Sequence, residues 1–338
     1  MRAFAFACSI FAALPALAAE PELTAKKSKE SIEFKFGDEL IANYVVAATA
    51  AKPYIWPLNA PGGVSVTRSW PMVKGTTGET TDHVHQKSAW FCHGDVIPVG
   101  MVLKTKSADK RVEGVDFWSE TPGHGKMLCV EIGEIKIVSK TEVSVPTKNE
   151  WRTADGDKIL DESRTITVRK LPKGYLIVLD IDFHTSVCPI QFGDTKEGSL
   201  GVRVPDGTAL QNKNGGRITA SDGKSSVAGA KDNLPIWGVA ADWHDYTGNV
   251  GDKTAGIAIF DHAKNKYRSV WHTRAYGLMA ANPFGRAKSG FPGVKENKEL
   301  VAIPKGEHLK LRYGIYTHGG DAKAGEVADA YRDFDAGK

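Results

Sequence analysis

The sequence predicts an all-β protein: a large antiparallel β-sandwich spanning residues 31–338, with one C-terminal helix. Three observations predict it. Apolar residues recur with a period of two, turn signals separate neighbouring alternating runs, and one stretch alone carries helical spacing. Strands joined by hairpins, without helical crossovers, exclude a parallel α/β sheet.

Taken in order, residues 1–19 set Arg2 before an apolar run from Ala3 to Leu14 and close on Ala16-Leu17-Ala18. This is the pattern of a secretory signal peptide, too short to span a bilayer. It predicts an exported protein, periplasmic or secreted. Residues 20–30, including AKKSKE from Ala25 to Glu30, read as a charged, flexible leader. Ile32, Phe34 and Phe36 then alternate with Glu33 and Lys35, a half-buried strand. In EIKIVSKTEVSV, Ile135 and Ile137 and then Val143 and Val145 alternate. Ala154 to Asp157 carries the Asp-Gly signal of a tight hairpin. RTITVRKLPKGYLIVLDIDF reads as two strands turned at Leu171 to Gly174. In the second of them Ile177, Leu179, Ile181 and Phe183 share a face while Val178 is apolar on the other, which predicts a central strand. TAGIAIFDH is a continuous apolar run, a buried strand, and LKLRYGIYTHGG alternates Leu309, Leu311, Tyr313 and Ile315. Between Ala324 and Phe334, residues Val327, Ala330, Tyr331 and Phe334 form a helical stripe.

The 44 basic and 40 acidic residues give a net charge of +4, with no dense basic stripe, so nucleic acid is not an expected partner. Past the N-terminal segment no run approaches the ~20 apolar residues of a membrane span, so no membrane insertion is expected. Cys8 would leave with the signal peptide; Cys92, Cys129 and Cys188 leave open one disulfide or three free thiols.

Titratable side chains concentrate in TDHVHQKSAWFCHGD, Thr81 to Asp95. His83 and His85 stand at i and i+2, and on a strand both would share a face. With His93 they could then share a metal, though the spacing assigns neither metal nor cofactor. Arg68 precedes this stretch in RSWPM; Trp118, Glu120 and His124 follow in VDFWSETPGHGK; WHTRAYGLMAANPFG adds Trp271, His272, Arg274, Tyr276 and Asn282. Aromatic rings beside such polar groups suit a small carbohydrate, whose apolar face stacks while its hydroxyls are hydrogen-bonded. His85 and His272 are the expected acid/base pair, with His93 and Glu120 as further catalytic candidates. Arg274 would stabilise developing negative charge. Trp118 and Asn282 would hold the ring, and His83 and Arg68 are further substrate-binding candidates.

KPYIWPLNAPGGVSVTRSWPM, DHVHQKSAWFCHGDV, VDFWSE, GSLGVRVP, GIAIFDH, WHTRAYGLMAANPFG and LRYGIYTHGGD resemble, in this order, a bacterial family labelled "methane oxygenase PmoA". The resemblance covers nearly the whole chain after the signal peptide. That family commonly shows His-Pro-His-His-Arg where this chain has His83-Val84-His85-Gln86-Lys87, so Gln86 and Lys87 depart from it. The label implies a membrane-embedded copper enzyme, which a chain without spanning helices does not match. The pattern also looks like the β-supersandwich of galactose mutarotase and its relatives. The sequence thus predicts an exported carbohydrate-active protein, an epimerase, lyase or hydrolase. The alternatives are a non-catalytic sugar-binding module and a metal-dependent oxidoreductase built on His83, His85 and His93.

Overall fold

The computed structural model describes residues 20–232 and 234–337, so the signal-peptide reading lies outside the described residues. The fold is an all-β sandwich of two large antiparallel sheets, with a small three-stranded sheet at one side. The ten-stranded sheet runs through Trp243–Val250, Lys253–Asp261, His308–Gly319, Gly174–His184, Lys158–Lys170, Glu142–Arg152 and Lys126–Ile132. The nine-stranded sheet runs from Leu23–Lys27 through Ser31–Phe36, Glu39–Val45, Tyr54–Ala60, Ala89–His93, Gly198–Arg203 and Leu278–Asn282 to Val270–Trp271.

Alternation explains the layers. Gly174–His184 lies between Lys158–Lys170 and His308–Gly319, a central position. Its Ile177, Leu179, Ile181 and Phe183 enter the core between the sheets. Its Leu176 and Val178 face the other way and bury Val327, Ala330 and Phe334 of the single described helix, Val327–Asp335. Burying such apolar side chains contributes roughly 1.5–3 kcal/mol each, which fixes the register. The Asp155-Gly156 turn joins Glu142–Arg152 to Lys158–Lys170, with Gly156 at φ 90°, a conformation that costs other residues.

The inter-sheet core also holds charge. Glu162 accepts hydrogen bonds from Arg164 Nε (2.6 Å), Trp151 Nε1 (2.7 Å) and Asn149 Nδ2 (3.2 Å). Arg164 Nη1 donates to Tyr44 of the opposite sheet at 3.0 Å.

Two expectations are corrected. The leader expected to be flexible contributes Leu23–Lys27, an edge strand paired along Ser31–Phe36 with Leu23 buried. Ile137 does not reach the core: it lies on Lys136–Ser139, a short edge strand exposed along its length, whereas Val143 and Val145 are buried. Cys92, Cys129 and Cys188 are free thiols. Among the described residues no helix is long and apolar enough to cross a membrane.

Candidate functional site

A cavity of about 860 Å³ opens over the nine-stranded sheet. Phe91 of Ala89–His93 points into the inter-sheet core against Phe183 and Tyr313. Alternation turns Trp90 to the other face, where its ring meets Trp118 edge-on at 5.1 Å beneath the cavity. The antiparallel pairing of His93 with Gly198 brings two segments together at this edge, Gly94–Asp95 and Asp194–Glu197. The Gly94 amide donates to the Glu197 carbonyl at 2.7 Å. Gly198 is required here, because a Cβ would fall 2.3 Å from His93 Nδ1.

The segment Asp194–Glu197 is anchored residue by residue. Asp194 accepts from the backbone amides of Arg286 (2.7 Å), Lys288 and Ser289 (3.0 Å). The Thr195 carbonyl accepts from Asn282 Nδ2 at 2.9 Å, and the Lys196 carbonyl from His272 Nδ1 at 2.8 Å. Glu197 is what this anchoring leaves free. Among the described residues its carboxylate meets only the Lys196 ammonium, at 3.9 Å. Its side chain keeps 34% of its surface accessible through the cavity. Burial lifts its carboxyl above the ordinary range; Asp116 adds to this, while Lys196, Arg111 and Arg274 oppose it.

A second wall comes from the irregular chain before Ala89–His93. Asp82 is its keystone: its Oδ1 accepts from Arg68 Nη1 (2.6 Å) and Arg203 Nη2 (3.3 Å), and its Oδ2 from His83 Nδ1 (2.8 Å). Burial would raise the Asp82 carboxyl, but Arg203, Arg68 and His83 hold it well below the usual range. The clamp keeps His83 at φ 44°, stacked on Tyr276 at 5.2 Å, and turns His85 toward the cavity. His85 makes no hydrogen bond among the described residues. Burial, then the positive charge of Lys52, lowers it to about 3, so its imidazole is neutral and offers one N–H and one lone pair.

The third wall is the hairpin turn after Val270–Trp271. The ring of His272 is fixed: Nδ1–H donates to the Lys196 carbonyl, and Nε2 accepts from Arg274 Nη1 at 3.4 Å. Burial lowers it to about 3. Arg274 also donates to Asp232 through Nη2 at 2.5 Å. One imidazole therefore ties the segment bearing Glu197 to the guanidinium.

Of the sequence-predicted residues, His83, His85, Trp118, His272 and Arg274 line this one cavity. The other four do not. His93 is sealed beneath it, donating through Nε2 to the Gly193 carbonyl at 2.8 Å and held neutral by burial, near 4. Glu120 is paired with Lys87 (2.5 Å) and Lys52 (3.6 Å). Burial would raise its carboxyl, but those ammonium groups bring it below the usual range, so it is a structural anion rather than an acid catalyst. Arg68 is fully buried under the histidine loop. Asn282 is also buried, accepting from the Phe284 and Gly285 amides at 2.9 Å and donating to the Thr195 carbonyl.

Two further expectations change. Trp118 is 1% exposed and offers no open ring face for stacking, and Trp271 is fully buried. His272 has both ring nitrogens engaged, so it positions its neighbours rather than exchanging protons. His83 and His85 sit on a loop, and His93 lies in a separate environment. Among the described residues no group of three or more His, Cys, Asp or Glu is placed to hold a metal. Sequence reasoning missed Glu197, Lys196 and Asp95. These flank short strands in DTKEGSL and HGDV, where no periodicity singles them out.

Over residues 31–332 the chain matches the model of a family described as "Family of unknown function (DUF6807)", and it belongs to that family. No curated protein matches it. Among solved structures it is similar to a galactose mutarotase-like protein from Clostridium acetobutylicum, at 9% identity and TM-score 0.46, covering 90% of this chain and 100% of that one. It is similar to a second galactose mutarotase-like protein, from Lactobacillus casei, at 10% identity and TM-score 0.34, covering 88% and 100%. A third is the GH36 α-galactosidase AgaB of Geobacillus stearothermophilus, at 8% identity and TM-score 0.39; 88% of this chain aligns to 41% of that one.

Proposed function

We propose that the chain is an exported carbohydrate-active enzyme that works by proton transfer within this cavity. His85 and Glu197 are the acid/base groups. One observation carries the reading: among the described residues, Glu197 is the one carboxylate lining the cavity, and His85 the one imidazole lining it, that makes no side-chain hydrogen bond. Asp95 accepts from the Gly114 and Glu113 amides, Asp116 from the Trp118 and Ser119 amides, Asp109 from Arg111, and Asp232 from Arg274 and the Ala275 amide. A cavity this size, lined by many charged and hydrogen-bonding side chains and without an open indole face, suits a polyhydroxylated ligand held by hydrogen bonds. A carboxyl raised above its ordinary range suits a base that moves a proton at a sugar carbon or oxygen, and neutral His85 offers an N–H beside it. The expected partner is a small sugar, with neither nucleic acid nor membrane involved.

The test is a thermal-shift and product screen of mono- and disaccharides with three proteins: wild type, Glu197→Gln and His85→Ala. A sugar that raises the wild-type Tm and is converted only by wild type supports the reading. Binding with no conversion, flat in pH and unaffected by either substitution, would leave a sugar-binding module in its place.

A further inference from the structure

The cavity contains one uncommitted carboxylate, not two, and this narrows the chemistry. Glycoside hydrolysis of the usual kind needs a pair of available carboxyl groups flanking the bond. Here Asp95, Asp109, Asp116, Asp194 and Asp232 are each engaged by backbone amides or an arginine. What Glu197 has beside it is positive charge. The Lys196 ammonium lies 3.9 Å from its carboxylate, and Arg274 is bound to the same segment through His272. The same cavity is lined by His85, a neutral imidazole that makes no hydrogen bond among the described residues.

Resting on the carbohydrate reading, we propose that the reaction is enolisation of a keto-sugar: Glu197 removes the proton α to the carbonyl. The C–H bond breaks, its proton passes to the Glu197 carboxylate, and its electron pair forms the C=C bond. The carbonyl π pair moves onto oxygen. That oxyanion is met by Arg274, by the Lys196 ammonium and by the His85 N–H, donors in place before the charge develops. As the enolate collapses, the oxygen pair re-forms the C=O bond and the C=C pair takes a proton back from the Glu197 carboxyl, so atoms and electrons balance without an oxidant or metal and the net change is exchange of that proton with solvent. A carboxylate base working with a neutral imidazole and fixed cations is a known solution to this problem in unrelated enzymes. His272 is a positioning residue: it joins Arg274 to the Lys196 carbonyl and so sets the spacing of base and cation.

The experiment incubates the protein with a panel of 2-keto- and 3-keto-hexoses in D2O and follows the α C–H signals by proton NMR. Saturation transfer reports binding in the same samples. Wild type is expected to wash out an α proton, Glu197→Gln to slow this at least 100-fold with binding within about threefold, and Arg274→Lys to slow it about tenfold. Glu197→Asp, which keeps the base, is expected to retain partial exchange. Binding without C–H exchange, anomer interconversion with the C–H retained, or exchange undiminished in Glu197→Gln would each overturn enolisation and leave the carbohydrate reading standing. No binding of any ketose, or of any sugar in the thermal-shift screen, would overturn both.

Discussion

Two polar groups, one between the sheets and one under the cavity, use their hydrogen bonds to opposite ends. In the core, Glu162 accepts three hydrogen bonds, one of them from Arg164, which also bridges to Tyr44. Under the cavity, Asp194, Asn282 and His272 are likewise engaged, but their bonds hold backbone in place, while the half-buried Glu197 and His85 side chains make no hydrogen bond among the described residues. The contrast teaches that burial and perturbed titration do not distinguish a catalytic group from a structural one. The role proposed for Glu197 and His85 rests on uncommitted polar atoms together with access to the cavity, since His244 Nε2 is also buried and unpartnered but lies outside it. His272, His93 and His85 are all held neutral by burial, yet only His85 has nitrogens to spare.

The comparison breaks most visibly in the core. Arg164→Met leaves Glu162 charged and buried without its main partner and is expected to destabilise the protein by about 3–5 kcal/mol, measured from the urea midpoint. A loss under 1 kcal/mol would show that the buried Glu162 carboxylate does not depend on Arg164. Glu197→Gln is expected to do the reverse. Stability stays within about 0.5 kcal/mol of wild type while turnover falls roughly 100-fold, equivalent to about 2.7 kcal/mol of barrier. Unfolding of this variant would place Glu197 with the structural anions.

A third buried pair sharpens the rule through pH. His318 donates through Nε2 to Asp245 at 2.8 Å and through Nδ1 to the Gly319 carbonyl at 3.3 Å, so the ring is cationic. Burial alone would lower its pKa, but Asp245 and these bonds raise it above the ordinary value. Its stabilisation is full below the unfolded value of about 6.5 and is lost as pH climbs through the higher folded value. His318→Gln is expected to cost about 1.5–3 kcal/mol at pH 6 and to flatten stability above neutrality, checked by urea melts from pH 6 to 9. An unchanged pH profile would refute the charged pair. The smallest effect belongs to the exposed Lys27–Glu134 contact at 3.0 Å, where Lys27→Ala should shift stability by less than about 0.5 kcal/mol in the same melts.

The scaffold was largely legible because its signal is periodic. The faces of Gly174–His184, the turn at Asp155-Gly156 and the stripe of the terminal helix all follow from spacing. Edges were harder: Leu23–Lys27 is held by pairing and by Leu23, which a charged composition conceals, and Ile137 alternates correctly on a strand with nothing to cover it. The cavity was legible in part. His83, His85, His272 and Arg274 stood out as clustered titratable residues and do converge. Glu197 did not, because its character comes from what its neighbours Asp194 to Lys196 bind, and those partners, His272, Asn282 and Arg286, are 76 to 92 positions away along the chain. Local composition also overstated His93 and Glu120, whose nearby partners quench them.

The Asp82 clamp has a consequence for how such a protein can change. Its anchors, Arg68 and Arg203, are fully buried, and Arg203 also holds Gln86, while the side chains it displays, His83 and His85, line the cavity. Display and support are therefore separable. Replacing the displayed side chains would alter what enters without reopening the sheets, so relatives sharing this framework are free to diverge in ligand while keeping one architecture.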